Sequence, residues 1–161
     1  MKKQIIIYLG IFVSLAASRF IPHPPNFTSL LALSFYVPAL LGIRFLPALI
    51  ISLAITDLVI GYHYGTHWTW GSVIAIGLLS KYFLSSIYSR LLGVISGVFI
   101  FYIITNFGVW TSGMYGYNFS GLTSCYIMAL PFLGHNIVAT IVFSGLIEIV
   151  YKFSKLKFKK I

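Results

Sequence analysis

Long apolar runs, separated by short polar or basic patches, fill this chain. Six of them run over Gln4–Ser18, Leu30–Ile43, Phe45–Gly61, Gly71–Ser86, Leu91–Phe107 and Phe132–Tyr151. Runs of this kind predict membrane-spanning helices, since roughly 20 apolar residues cross a bilayer untilted. Arg44 alone separates the second run from the third, which predicts a tight helical hairpin. A further stretch, "GLTSCYIMALPF", reads as helical with a break at Pro131.

Composition strengthens this picture. Of 161 residues, 59% are hydrophobic and only 8% charged, against about 25% charged in ordinary soluble domains. So short a chain cannot hide that much apolar surface in one water-soluble core. The expected fold class is all-α: a polytopic membrane protein, one integral domain over residues 1–161, with six transmembrane helices in a bundle and the lipid bilayer as its first partner. A lone cysteine, Cys125, excludes a disulfide within the chain.

The net charge of +9 would suggest nucleic acid in a soluble protein. Here no nucleic-acid partner is expected, because the charges follow the positive-inside rule. With the N-terminus in the cytoplasm, the inner side holds Lys2, Lys3, Arg44, Lys81, Arg90, Lys152, Lys155, Lys157, Lys159 and Lys160. Only Arg19 of the eleven basic residues falls outside. Both termini are then cytoplasmic. Lys2, Lys3, an apolar run and "SLAAS" also fit a cleaved signal peptide, which would leave the other five spans oriented as before. Gly10, Ser14 and Ser18, spaced by four, suit a retained and closely packed helix instead.

Polar chemistry collects in the three outer loops: "RFIPHPPNFT" after the first span, "YHYGTHWTWG" from Tyr62 to Gly71, and the long segment from Asn106 to Tyr126. All three tryptophans and three of the four histidines lie there. Two accounts compete. One is an interfacial aromatic belt with ordinary loop polarity. The other is an outward-facing binding pocket. In the second, Pro22, Pro24 and Pro25 stiffen a rim, Asn26 hydrogen-bonds locally, and Arg19 and His23 point polar groups at the site. Trp68, Trp70, Trp110 and Tyr115 would supply stacking area for a flat ligand. His63, Asn106 and Tyr126 complete the candidates, together with Asp57.

An acid inside a membrane usually faces a cavity or a partner. Asp57 either pairs with Arg19 or binds a cationic or hydrogen-bond-donating ligand group. Glu148 reads as structural, with Lys152 four residues on. His63 and His67 are four apart, but Gly65 between them makes a helix there doubtful, and no acidic ligand or second cysteine stands nearby, so no metal site is expected. No cofactor or catalytic residue is expected either: Cys125 has no evident base, and no phosphate-cradling glycine loop occurs.

"RFIPHPPNFT", "DLVIGYH", "TNFGVW" and "GLTSCYIMALPF" together resemble an uncharacterised bacterial family of membrane transport proteins. That family is similar to the substrate-binding S components of energy-coupling factor (ECF) vitamin transporters. The resemblance implies a six-helix bundle in the bacterial cytoplasmic (inner) membrane. It would bind a vitamin-like micronutrient at its outer face, alone or with an energising module of a transmembrane T subunit plus ATPases. Such components dock through small residues of the first helix, commonly Ala-xxx-Ala, where this chain has Gly10, Ser14 and Ser18. The alternatives are a structural scaffold of the cell envelope, or a membrane enzyme acting at the outer face.

Overall fold

The computed structural model describes residues 2–154, which form seven α-helices with no strand among them. They are α1 (Lys2–Phe20), α2 (Leu30–Leu41), α3 (Leu46–Ile60), α4 (Thr66–Leu79), α5 (Ile87–Trp110), α6 (Phe119–Met128) and α7 (Leu130–Ser154). Short 3₁₀ turns at Ile43–Phe45 and Ser80–Phe83 lead into α3 and out of α4. Lys155, Lys157, Lys159 and Lys160, and the side chains of Lys2 and Lys3, lie outside the described residues.

Three helical stretches, Ile43–Ile60, Ile87–Trp110 and Leu130–Phe153, are long and apolar enough to cross a membrane. The protein fully buries only a minority of each: 39%, 28% and 22% of their apolar windows. Leu92, Phe99, Ile103, Ile141 and Val142 are among the large apolar side chains left outside. Lipid is the solvent that accepts such a surface, and helices satisfy their own backbone within it. The chain reads as a helical membrane protein.

The interior is built around α2. Ten of its twelve residues are buried, as expected of a helix that is apolar all round. Leu30, Leu33 and Val37 pack with Ile11 and Leu15 of α1 and with Leu49 and Leu53 of α3. Phe35, Tyr36 and Ala39 pack with Ile76 of α4 and with Val94 and Val98 of α5. Ser34, fully buried, returns its hydroxyl to the Leu30 carbonyl at 2.7 Å. Gly42, at φ 98°, ends the helix in a conformation only glycine adopts freely.

Close packing relies on glycines of α5 more than on the small residues of α1. A Cβ on Gly93 would lie 2.6 Å from the Phe35 and Phe83 side chains, and one on Gly108 2.3 Å from the Trp68 ring. Gly10 has no neighbour within 4 Å of such a Cβ. Ser14 and Ser18 do make contacts: the Ser29 hydroxyl donates to the Ser14 carbonyl at 3.2 Å, and the Ser18 and Ser29 hydroxyls lie 2.7 Å apart.

Two boundaries differ from the sequence reading. Helix α4 starts at Thr66, so His67, Trp68 and Trp70 are helical; the Thr66 hydroxyl takes the His63 N–H at 3.1 Å and anchors the turn before it. Helix α5 runs on to Trp110, and α6 begins after Asn118, whose side chain caps it by accepting the Gly121 N–H at 2.7 Å. The long third loop therefore shrinks to residues 111–118. Glu148 also has a different partner. It binds Arg90 of α5 in two hydrogen bonds of 2.6 and 2.8 Å and accepts from the Tyr36 hydroxyl at 2.7 Å, so the pair with Lys152 is replaced by a link between three helices.

The α4–α5 seam yields a test. Gly108→Ala should cost about 1–3 kcal/mol through overpacking, read as a lower Tm of the detergent-purified protein. Gly10→Ala, on an open helix face, should leave Tm unchanged or raised. Equal effects of the two would contradict this packing.

Candidate functional site

The three loops gather at one end of the bundle. The Tyr64 hydroxyl donates to the Thr111 carbonyl at 3.3 Å, and His135 Nδ1 donates to the Pro25 carbonyl at 2.9 Å. The opening loop is held by its own chemistry. Asn26 takes a left-handed φ of 64°, tolerated best by Asn, Asp and Gly. The Phe27 N–H donates to the Pro24 carbonyl at 3.0 Å, and the Phe27 ring lies 6.2 Å from that of Phe143 on α7.

Beneath this rim lies a cavity in two lobes. The first, about 270 Å³, is lined by Arg19, His23, Asn26, Asp57, His63 and Asn136, among others. The second, about 380 Å³, takes Tyr102, Asn106, Tyr115, Met128, Phe132 and Leu133. Asn26, His63, Thr69, Phe101 and Asn136 line both, so the lobes adjoin. The first is ringed largely by polar groups, while the second is mostly apolar.

Arg19 and Asp57 meet at the wall of the first lobe. Arg19 Nη2 donates to Asp57 Oδ1 at 2.6 Å, and Nη1 donates to the Thr56 hydroxyl at 2.6 Å. The other carboxylate oxygen accepts the Trp70 indole N–H at 2.7 Å. Asp57 is 7% exposed. Both its oxygens are engaged by short, charge-assisted bonds, which leaves it poorly placed to receive a cationic ligand. The arrangement fixes α1, α3 and α4 to one another.

Two histidines offer complementary atoms. His63 Nδ1 accepts the Gly65 N–H at 3.1 Å, so in the neutral ring the proton sits on Nε2. His23 Nδ1 donates to the Pro24 carbonyl at 2.7 Å, so in the neutral ring its Nε2 is an acceptor. Asn106 donates from Nδ2 to the Tyr102 carbonyl at 2.8 Å, keeping its amide oxygen for the second lobe. Asn136 is the residue that sequence reading missed. It is 7% exposed, lines both lobes, and has no hydrogen-bond partner among the described residues. Its signal was weak, a single amide inside an apolar run.

Seven of the ten candidate residues, Arg19, His23, Asn26, Asp57, His63, Asn106 and Tyr115, line the cavity. Trp68, Trp110 and Tyr126 do not. Trp68 and Trp110 belong to a ladder of ring contacts that runs Tyr64, His67, Trp68, Phe107, Trp110, Tyr117, with centroids 5.3–6.1 Å apart. These rings stack on each other, each contact contributing about 0.5–1.5 kcal/mol beyond its buried area. The Trp110 indole donates to the Gly116 carbonyl at 3.0 Å, and the Tyr126 hydroxyl to the Ile103 carbonyl at 2.7 Å. Tyr126 thus latches α6 to α5. Cys125, which borders the second lobe, is 1% exposed and donates its thiol to the Asn106 carbonyl at 3.3 Å.

A family model covers the chain from residue 1 to residue 161. The chain belongs to DUF6580, a family of unknown function. No curated protein and no solved structure matches it. The cavity of this DUF6580 chain has hydrogen-bond donors and acceptors at one side, an apolar wall at the other, and an ion pair behind.

If the Trp70 indole holds the Asp57 carboxylate, Trp70→Phe should cost about 1.5–3 kcal/mol, the range for a hydrogen bond to a charged group. Reversible unfolding in mixed micelles measures it. A loss within about 0.5 kcal/mol, ordinary for surface sites, would show that the bond contributes little.

Proposed function

We propose that this protein is a substrate-binding membrane component, subunit or standalone transporter, for uptake of a small vitamin-like micronutrient. The cavity is its binding site. In this reading the bundle has six spans, α1 to α5 and α7, with α6 as a short helix over the second lobe. The ten-to-one split of basic residues supports both termini in the cytoplasm and the loop-rich end facing out from the bacterial cytoplasmic membrane. The resemblance to S components suggests the ECF energising module as a partner.

The observation that carries the proposal is Asn136. Its amide has no hydrogen-bond partner among the described residues, and it borders both lobes. An amide supplies a donor and an acceptor side by side. With His63 Nε2–H and the His23 Nε2 acceptor it favours a neutral, hydrogen-bonding head group. Met128, Phe132 and Leu133 favour an apolar body. The cargo is therefore a small amphipathic molecule, and the lobe volumes are of the scale of small-molecule sites.

Mass spectrometry of the denatured extract from gently purified protein tests this. A near-stoichiometric small molecule is expected from the wild type and is lost from Asn136→Ala at unchanged Tm. Empty extracts across several growth media, with a protein co-purifying in fixed ratio, would overturn the reading in favour of an envelope scaffold.

A further inference from the structure

A groove of about 400 Å³ runs between α1 and α3, lined by Tyr8, Leu9, Phe12, Arg44, Ile51 and Ile55, among others. It opens to the outside of the bundle, where Leu9, Ile51 and Ile55 are 44–59% exposed. Ser52 on its wall donates its hydroxyl to the Ala48 carbonyl at 2.8 Å, so the length of the groove presents an apolar surface. Its ends differ. Ile55 lies near Asp57 and the cavity, while Arg44 stands just before α3, at the end far from the cavity. The helical rise from Arg44 to Ile55 is about 16 Å. That is close to half of the roughly 30 Å hydrocarbon core, the depth of one leaflet.

Arg44 brings a charge with no partner. The chain has two acids, and they bind Arg19 and Arg90. Arg44 is exposed and makes no hydrogen bond or ion pair among the described residues. Its guanidinium lies over the ring of buried Phe45, 5.0 Å from the centroid. A guanidinium stacked in this way keeps its N–H edge free for two oxygens of a phosphate. Tyr8 of α1 flanks the same ring, with centroids 5.6 Å apart, and its hydroxyl also has no hydrogen-bond partner among the described residues. Two donors therefore stand at the head of an apolar groove one leaflet deep. Basic pockets between membrane helices hold anionic lipid head groups in this manner.

We propose that the α1–α3 groove binds one anionic phospholipid from the leaflet on the side away from the cavity. Its phosphate sits on Arg44 and Tyr8, and an acyl chain lies along Leu9, Phe12, Ile51 and Ile55. The positive-inside reading makes this the cytoplasmic leaflet. The lipid bridges α1 and α3 at the end opposite their Arg19–Asp57 link. The site stands independently of what the cavity binds.

Native mass spectrometry of the detergent-purified protein tests this, with dioleoyl-phosphatidylglycerol and dioleoyl-phosphatidylcholine supplied in equal amounts. The acyl chains are identical, so a difference in retention reports the head group. Wild type should retain phosphatidylglycerol several-fold better. Arg44→Gln, at unchanged Tm, should abolish that preference. Lys81→Gln removes another exposed charge, outside the groove, and should preserve it. Ile51→Trp, which fills the groove and leaves the charge, should lower phosphatidylglycerol retention several-fold. Equal retention of the two lipids by wild type overturns the proposal. So does a preference that survives Arg44→Gln, one lost equally in Lys81→Gln, or retention unmoved by Ile51→Trp. A protein that co-purifies in fixed ratio and is lost in Ile51→Trp would assign the groove to that protein and overturn it as well. If Arg44→Gln does not fold, the wild-type comparison and Ile51→Trp decide the matter.

Discussion

Burying a charge away from water is so costly that it must be paired, and this chain buries Asp57 and half-buries Glu148. It has two acidic residues in all, and each binds an arginine at 2.6 Å. At the cavity end Asp57 joins Arg19 and Trp70, which ties α1, α3 and α4 together. At the opposite end Glu148 joins Arg90 and Tyr36, which ties α5, α7 and α2. Each of the six longer helices belongs to one cluster or the other. Apolar packing in lipid has little directional preference, because lipid tails are as apolar as the side chains. The two clusters supply the register that packing alone leaves loose.

This division shapes the cavity. Its first lobe lies against the Arg19–Asp57 cluster, and its second follows α5 toward α6 and α7. Asp57 is occupied by the fold, so in the proposed function recognition falls to Asn136, His63 and Asn106. Of the aromatic residues that suggested a stacking platform, Trp68 and Trp110 act instead as a brace along α4 and α5, with Trp68 seated on Gly108, while Tyr115 lines the second lobe. What remains around the cavity is a polar rim over an apolar wall.

The sequence foretold much of this where a single cause dominates. The six apolar runs emerge as helices because length and apolarity decide that question alone. Arg19 is the one basic residue that the positive-inside reading places outside, which made it the evident partner for Asp57. The Arg90–Glu148 link was hidden, since the two are 58 residues apart and Lys152 offered a local partner in the favourable order. The start of α4 was obscured by Gly65, which precedes the helix instead of breaking it. Trp68, Trp110 and Tyr126 were misplaced for a common reason. Composition shows that aromatics are abundant at one end, but only the fold shows whether they face a cavity or one another. Asn136 carried no pattern beyond its polarity, and its importance comes from its place at the junction of the two lobes.

The two arginine–carboxylate pairs organise the bundle. A double-mutant cycle on Arg19 and Asp57, read by reversible unfolding in mixed micelles, tests this most directly. Arg19→Met and Asp57→Leu should each cost about 3–5 kcal/mol, because each strands a buried charge. The double variant, with neither charge left, should recover most of that loss. Single losses that simply add in the double variant would contradict the account, because the two side chains would then contribute independently and not as a pair.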